Sequence, residues 1–325
     1  MKLVFKHSRR ARARTRTRSA SMTLFALSVM GICLSPAPAS ATPLLGSDLA
    51  SFTVLGGATV TNVPTSSIVG NVGVWSSGGA NAITGFNSSP GVAVSDPQVT
   101  GGTVQAGTMT GSPNAMTAQQ QLITAITNLG SLGPGTLEPA DLAGLTLLPG
   151  VYTVPAGTTN LSGTLTLDGN GNANAAWVFQ MPSTLITSPD SVVTVVNTGA
   201  GAGVYWNVGS SATIGTSTTF AGNILALDSI TMNTSATDFC GRALAESYAV
   251  TLQQNSLSGT CSGLAAGSGG LSAGLSGGLD VASSGLVSLL PYASVPEPST
   301  LSLLMIGLIL VGFAARTRKQ KPEAT

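Results

Sequence analysis

Hydrophobic and polar residues in this chain alternate in short runs broken by Gly, Asn and Pro, and the runs repeat. An outward Thr followed by an apolar residue recurs at Leu145-Thr146-Leu147, Leu165-Thr166-Leu167, Ser183-Thr184-Leu185, Ala212-Thr213-Ile214, Ile230-Thr231-Met232 and Val250-Thr251-Leu252. From each Thr to the next the numbering advances by 20, 18, 29, 18 and 20. A second repeat runs in phase: Phe220-Ala221-Gly222-Asn223-Ile224-Leu225-Ala226 matches Phe239-Cys240-Gly241-Arg242-Ala243-Leu244-Ala245 at a shift of 19. A coil of that length holds three strands of about five residues with corners between them, which predicts a parallel β-helix of triangular section. The longest step, from Thr184 to Thr213, fits if the glycine-rich Thr198–Gly203 bulges out as a loop.

One segment has a helical period instead. Ser112 can cap it, Pro113 suits the first turn, and Ala115, Ala118, Leu122, Ala125, Ile126 and Leu129 form one apolar stripe ending at Gly130. The predicted class is therefore all-β with one long helix.

Strand alternation orients the repeats. With Ile214 in the core, Ser211 and Thr213 point out, and the same parity exposes Ser229, Thr231, Ala249 and Thr251. Parallel strands stack ~4.8 Å apart, so the outward residues form a flat ladder of small hydroxyl and methyl groups. Thr146, Thr166, Thr184, Ser211, Thr213, Ser229, Thr231, Ala249 and Thr251 are its candidate members, and Thr61 is expected to lie outside it. Thr also fills exposed strands through plain β-propensity. An ordinary strand face carries Lys, Glu or Arg as well, and this one does not.

Charge sharpens that reading. Only 8% of the 325 residues are charged, and the signs are segregated. Eight of 13 Lys and Arg lie in Met1–Arg18 and four in Arg316–Lys321, leaving Arg242 alone among ten acids. One cation cannot neutralise a run of phosphates, which excludes nucleic acid as a partner. The only histidine is His7. Beyond the leader there is no imidazole, no Ser–His or Cys–His pair and no Cys/His zinc cluster, so neither an enzyme, a metal site nor a cofactor is expected.

The basic ends read as targeting signals. Met1–Arg18 is basic, Met22–Leu34 is apolar, and Ala39-Ser40-Ala41 is a small-x-small site. Residues 1–41 are thus expected to be a signal peptide removed by signal peptidase before Thr42. Near the other end, Val295-Pro296-Glu297-Pro298 precedes an apolar run, Leu301–Ala315, and a basic stop, Arg316-Thr317-Arg318-Lys319. Residues 295–321 resemble the PEP-CTERM sorting signal. The resemblance implies exosortase recognition, transient membrane contact through the apolar helix, and delivery to the cell surface or extracellular matrix. Between them, residues 42–261 read as the folded domain and 262–294, mostly Gly, Ser, Ala and Leu, as a flexible linker. Once Cys33 leaves with the leader, Cys240 and Cys261 remain as one disulfide candidate in an oxidising compartment; two buried thiols are the alternative.

Together, Leu45-Gly46-Ser47, Phe52-Thr53-Val54-Leu55, Val60-Thr61-Asn62, Gly70-Asn71-Val72-Gly73-Val74, Leu148-Pro149-Gly150-Val151-Tyr152, Trp177-Val178-Phe179-Gln180 and the two phased repeats resemble the ice-binding-like domain family of secreted microbial proteins. The resemblance covers Leu45 to about Leu252. It implies a discontinuous right-handed parallel β-helix with the helix Pro113–Leu129 packed alongside, and N-terminal coils lying beside the C-terminal ones. It implies ice or ordered water as the partner of a flat β-face. Family-like Thr-Gly-x-Thr/Asn matches at Thr84-Gly85-Phe86-Asn87 and Thr100-Gly101-Gly102-Thr103 add Thr84, Asn87, Thr100 and Thr103 as weaker candidates. Two other functions compete. One is an adhesive or scaffolding module in exopolysaccharide, which the sorting tail suits equally well. The other, more remote, is a polysaccharide-acting β-helix enzyme, which needs clustered carboxylates where these acids are scattered. Arg242 is expected in a structural turn.

Overall fold

The computed structural model describes residues 43–76, 82–89, 91–107, 115–260 and 275–295. The signal peptide, Ser112, Pro113, Cys261 and the sorting motif Pro296, Glu297 and Pro298 lie outside the described residues.

Three sheets of ten, eight and six strands wind into a parallel β-helix. Six coils visit all three in the order ten, six, eight, whereas those opened by Thr136–Leu137 and Gly150–Thr153 pass from the ten- to the eight-stranded sheet without a strand in the six-stranded one. Asn223–Ala226, Ile230–Met232 and Thr237–Asp238 make one turn, and the chain returns to the ten-stranded sheet at Arg242–Ala245. Tyr205 lies beside Asn223 and Asn223 beside Arg242, so these coils have the short lengths that the sequence repeats require. At the corner between six- and eight-stranded sheets, four successive coils each place one residue in the left-handed region: Asp190 (φ 60°), Ser217 (57°), Ser235 (61°) and Gln254 (55°). Backbone bonds to the neighbouring coil hold each of them there, including Ser217 N–H to Thr234 O at 3.0 Å.

Earlier coils are longer, since Val178 pairs with Tyr205. The extra length comes mainly from two strands of the eight-stranded sheet, Thr164–Asn172 and Val192–Thr198, rather than from a loop at Thr198–Gly203 alone. Thr219–Phe220 pairs with the second of these strands only at Val192. Past that point the two long strands run on against each other to Asn172 and Thr198 and form a spur at the vertex between the eight- and ten-stranded sheets.

The stack is not wound in chain order. Val54 pairs with Ala243, Thr61 with Thr251 and Ile68 with Leu257, so the first coil caps the last C-terminal one. A further N-terminal coil, Asn71–Val74, Ile83–Thr84 and Val99–Thr100, extends the stack.

Alternation in the ten-stranded sheet feeds two cores. Val54, Ile224, Ala226, Ala243 and Ala245 point into the β-helix. Leu55, Val178, Tyr205, Leu225 and Leu244 point out, yet are buried under the helix Ala115–Gly130 by Ala118, Leu122, Ala125 and Leu129. Ile126, at the stripe's edge, is only partly buried. Inside, an aromatic stack runs along the axis. Tyr152 and Phe179 are 5.8 Å apart between centroids, Phe179 and Trp206 4.0 Å, Trp206 and Phe220 5.0 Å. The buried indole of Trp206 is satisfied by Nε1–H donation to Ala221 O at 3.1 Å.

Two sequence expectations are corrected. Arg242 is not in a turn: it opens the strand Arg242–Ala245, 4% exposed, and donates to Ala50 O (Nη2, 2.7 Å), Asn223 Oδ1 (Nη1, 2.9 Å) and Ser276 Oγ (Nη1, 2.5 Å). Nor is all of 262–294 a linker. Residues 262–274 lie outside the described residues, but Leu279–Val281 and Val287–Leu289 form an antiparallel hairpin on the outer core. Glycine here serves close backbone approach rather than flexibility: a methyl at Gly277 would collide with the Gly201 carbonyl.

Asp238 occupies an inward position aligned with Phe220 and Leu257. Its carboxyl oxygens are buried, and no well-formed hydrogen bond reaches them; the Cys240 and Gly222 amides lie near enough only to pull weakly. Burial pushes its pKa up to about 8, against the weaker opposing pull of the Cys240 and Gly222 amides and the Arg242 charge. The folded state therefore holds a proton that the unfolded chain releases above its ordinary carboxylate value. Stability contributed by this group is complete at low pH and is lost as pH rises from about 4 to about 8. Urea unfolding across that range should show the loss in the wild type and a smaller one in Asp238→Asn. Trp206→Ala removes the centre of the aromatic stack and should cost about 3–5 kcal/mol in the same measurement.

Candidate functional site

Of the three sides of the β-helix, the ten-stranded one is covered by the helix and hairpin. Among the described residues nothing covers the six-stranded side. Its strands put Thr213, Thr231, Thr251, Thr61 and Thr84 in one row, each directly beside the next across a parallel pair. Ala212, Ile230, Val250, Val60 and Ile83 form the buried row beneath, so the threonines face outward by strand alternation. Thr61 and Thr84 are exposed and the other three half-buried. None of the five hydroxyls is engaged by another group among the described residues. Ile186 continues the row beside Thr213.

A second outward row lies two residues upstream: Ser211, Ser229, Ala249 and Thr59. Here the hydroxyls turn partly inward. Ser211 Oγ accepts from Ser229 N–H and Ser229 Oγ from Ala249 N–H, each at 3.3 Å. These bonds brace adjacent coils and hold the small side chains low against the sheet.

No charged residue stands in either row. The nearest acids sit at the vertex leading in from the ten-stranded sheet, where Ser210 Oγ donates to Asp228 Oδ2 at 3.1 Å. Glu246, at the same vertex one coil on, has its pKa raised by burial and by Asp228.

Not every candidate lands on this face. Thr146 and Thr166 pair with each other, and Thr166 with Thr194, in the eight-stranded sheet. Both open sides expose alternate threonines, so the motif alone does not say which side a Thr occupies; the step from Thr166 to Thr184 crosses from one sheet to another. Thr184 precedes Leu185, the partner of Ala212, and so falls level with Ser211 rather than Thr213. Among the weaker candidates, Thr84 joins the main row while Thr100 pairs with Val69 in the eight-stranded sheet. Asn87 is fixed in a loop, its amide donating to Asp96 Oδ2 at 2.7 Å. Thr103 is tied to Asn71 Oδ1 through its own amide at 2.8 Å.

Thr61, expected outside the ladder, stands within it, and Thr59 joins the second row. Their neighbours in space, Thr251 and Ala249, belong to the far end of the domain's sequence, so no repeat spacing reaches them. The signal was nonetheless present, since Val60-Thr61 repeats the apolar–Thr pattern of Val250-Thr251.

The eight-stranded side is a poorer platform. In the short coils its strands Thr219–Phe220 and Thr237–Asp238 offer one outward position each. Beyond them the spur carries Asp168. Among the described residues no group of three or more His, Cys, Asp or Glu stands together to hold a metal.

Comparison with known proteins fits this geometry. A family described as Ice-binding-like matches residues 54–258, and a PEP-CTERM protein-sorting motif matches 294–319. An ice-binding protein of Nostoc sp. (strain HG1) is 42% identical over 287 residues, covering 88% of this chain and 91% of that one. One from Leucosporidium sp. (strain AY30) is 32% identical over 215 residues, 64% of this chain and 80% of that one. Among solved structures, an antifreeze ice-binding protein from an Arctic yeast superposes with a TM-score of 0.59 at 26% identity, covering 67% of this chain and 94% of that one. A domain of Shewanella frigidimarina ice-binding protein 1 gives 0.58 at 27%, covering 67% and 97%. The family match over 54–258 and the 42% identical relative agree, and this chain belongs to the ice-binding-like family.

Proposed function

We propose that this protein is exported and binds ice through its six-stranded face, with Thr213, Thr231, Thr251, Thr61 and Thr84 as the central row and Thr184, Ser211, Ser229, Ala249 and Thr59 beside it. The observation that carries the reading is the register of that row: one uncommitted hydroxyl and one methyl per coil, at a constant ~4.8 Å repeat, with no charge between them. Each hydroxyl can hold one water, and the methyls beside it discourage water from adopting other arrangements. A row of such groups on a rigid backbone orders a layer of water that can merge with a growing lattice. Because each contact is weak, the surface must be organised before binding, or the cost of ordering it would cancel the gain. Charged side chains would keep their own hydration shells, and none stands in either row. The action is adsorption, not turnover.

The sorting-motif match supports export to the cell surface, where the exopolysaccharide matrix is the surrounding medium. Signal peptidase would remove residues 1–41 and an exosortase would act on the C-terminal signal. In that oxidising setting, buried Cys240 pairs with Cys261, closing a loop of about 20 residues worth ~3 kcal/mol. The secreted protein, unfolded without reductant, should show no titratable thiol; two reactive thiols would refute the pairing.

Thr231→Tyr tests the face. A ring at the centre of the row lifts its neighbours off the lattice, so ice shaping should vanish while stability changes by no more than about 0.5 kcal/mol. Thr61→Tyr, in the same row, should do likewise. Thr164→Tyr, exposed on the eight-stranded side, should leave ice shaping intact. Retained activity in both row variants would move the site off this face, and a lowered melting temperature in Thr231→Tyr would mark it as a packing residue.

A further inference from the structure

The chain does not leave the domain at its last coil. From Leu275 it returns across the ten-stranded side. Leu275 is fully buried, and its backbone is clasped from three directions: its amide donates to Cys240 O (3.2 Å), and its carbonyl accepts from Val204 N–H (3.1 Å) and Asn223 Nδ2 (2.6 Å). Gly277 N–H donates to Ala202 O at 2.9 Å, the Gly277 carbonyl accepts from Tyr205 Oη at 2.9 Å, and Arg242 holds Ser276. Leu279, which opens the hairpin, is 2% exposed and packs into the outer core. The segment then ends on the spur. Ala293 N–H donates to Asn172 Oδ1 and Val295 N–H to Gly171 O, each at 3.0 Å. Gly171 has φ +75°, a backbone conformation that a side chain would strain, and the Tyr292 hydroxyl lies 3.3 Å from where its Cβ would be.

The spur stands at the vertex between the eight- and ten-stranded sheets. In a triangular section that vertex is opposite the six-stranded side. We infer that residues 275–295 are an orienting strap, which fixes the exit of the sorting segment at the vertex facing away from the six-stranded face, so that a chain held by its C-terminus turns that face to the medium. The use of this orientation rests on the ice-binding reading above; the docking of the strap does not. A plain linker in place of the strap would let a tethered domain lie on any side. The fixed exit instead makes attachment and adsorption compatible. The partner presented with the face is ice in the surrounding water, and the partner behind it is whatever holds the tail.

Both halves can be tested on the secreted chain. Amides of Leu275 and Gly277 should exchange with solvent at least about a hundredfold more slowly than in open chain. Gly277→Ala combined with Leu279→Asp should abolish that protection while the Ile230–Met232 strand stays protected. Fast exchange of Leu275 and Gly277 in the wild type would overturn the strap. For orientation, biotin is attached through Ser294→Cys at the exit or Tyr248→Cys at the vertex bordering the six-stranded face, and each protein is loaded on streptavidin beads. Both should shape ice when free. Beads tethered at residue 294 should adsorb to ice, and those tethered at 248 at least about tenfold less, since their geometry opposes engagement. Equal adsorption, or failure of the 294 beads, overturns the orientation. Failure of both free proteins to shape ice would instead overturn the ice-binding reading, leaving the exchange result to judge the strap.

Discussion

Parallel backbone pairing sets each residue of a coil directly beside its counterpart in the next, and this register is what the rest of the molecule depends on. It carries the inward row from Ala212 to Ile230 to Val250 and the outward row from Thr213 to Thr231 to Thr251 in a single operation. A slip of one residue would exchange the two rows, burying hydroxyls and exposing Ile230 and Val250. The apolar cost of that exchange fixes the outer face as firmly as the core. A surface whose chemistry must be regular is thus held regular by buried residues, including the aromatic stack from Tyr152 to Phe220.

The same register joins segments far apart in the chain. Val54 beside Ala243 and Thr61 beside Thr251 begin an extension of the face, completed by Thr84, that the C-terminal repeats alone would not supply. Arg242 reinforces this closure. Its guanidinium spans from Ala50 of the N-terminal segment to Ser276 of the strap, so one buried cation ties together three parts of the chain that meet only in space. Its role is structural, which is consistent with a chain whose open faces bear no cation.

Legibility in the sequence followed the locality of the contacts. Thr213, Thr231 and Thr251 could be placed because consecutive short coils carry them at nearly equal steps. Thr166 could not, because two open sides share one alternation and the strand Thr164–Asn172 lengthens its coil. Thr61 escaped, and Thr84 was reached only through a weak motif, because their partners are set by chain closure, which leaves no spacing to count. The strap was hidden by composition. Glycine and serine read as a flexible linker, whereas Gly277 is needed so that two backbones can approach, and the buried Leu275 and Leu279 in the same stretch were the available signal.

Ice grown slowly just below its melting point in a solution of the mature chain reads the central claim most directly. Adsorption through a flat, pre-organised hydroxyl face predicts faceted crystals that stay fixed in size across a measurable gap between melting and freezing. Rounded crystals that grow freely as soon as the solution is cooled would contradict it.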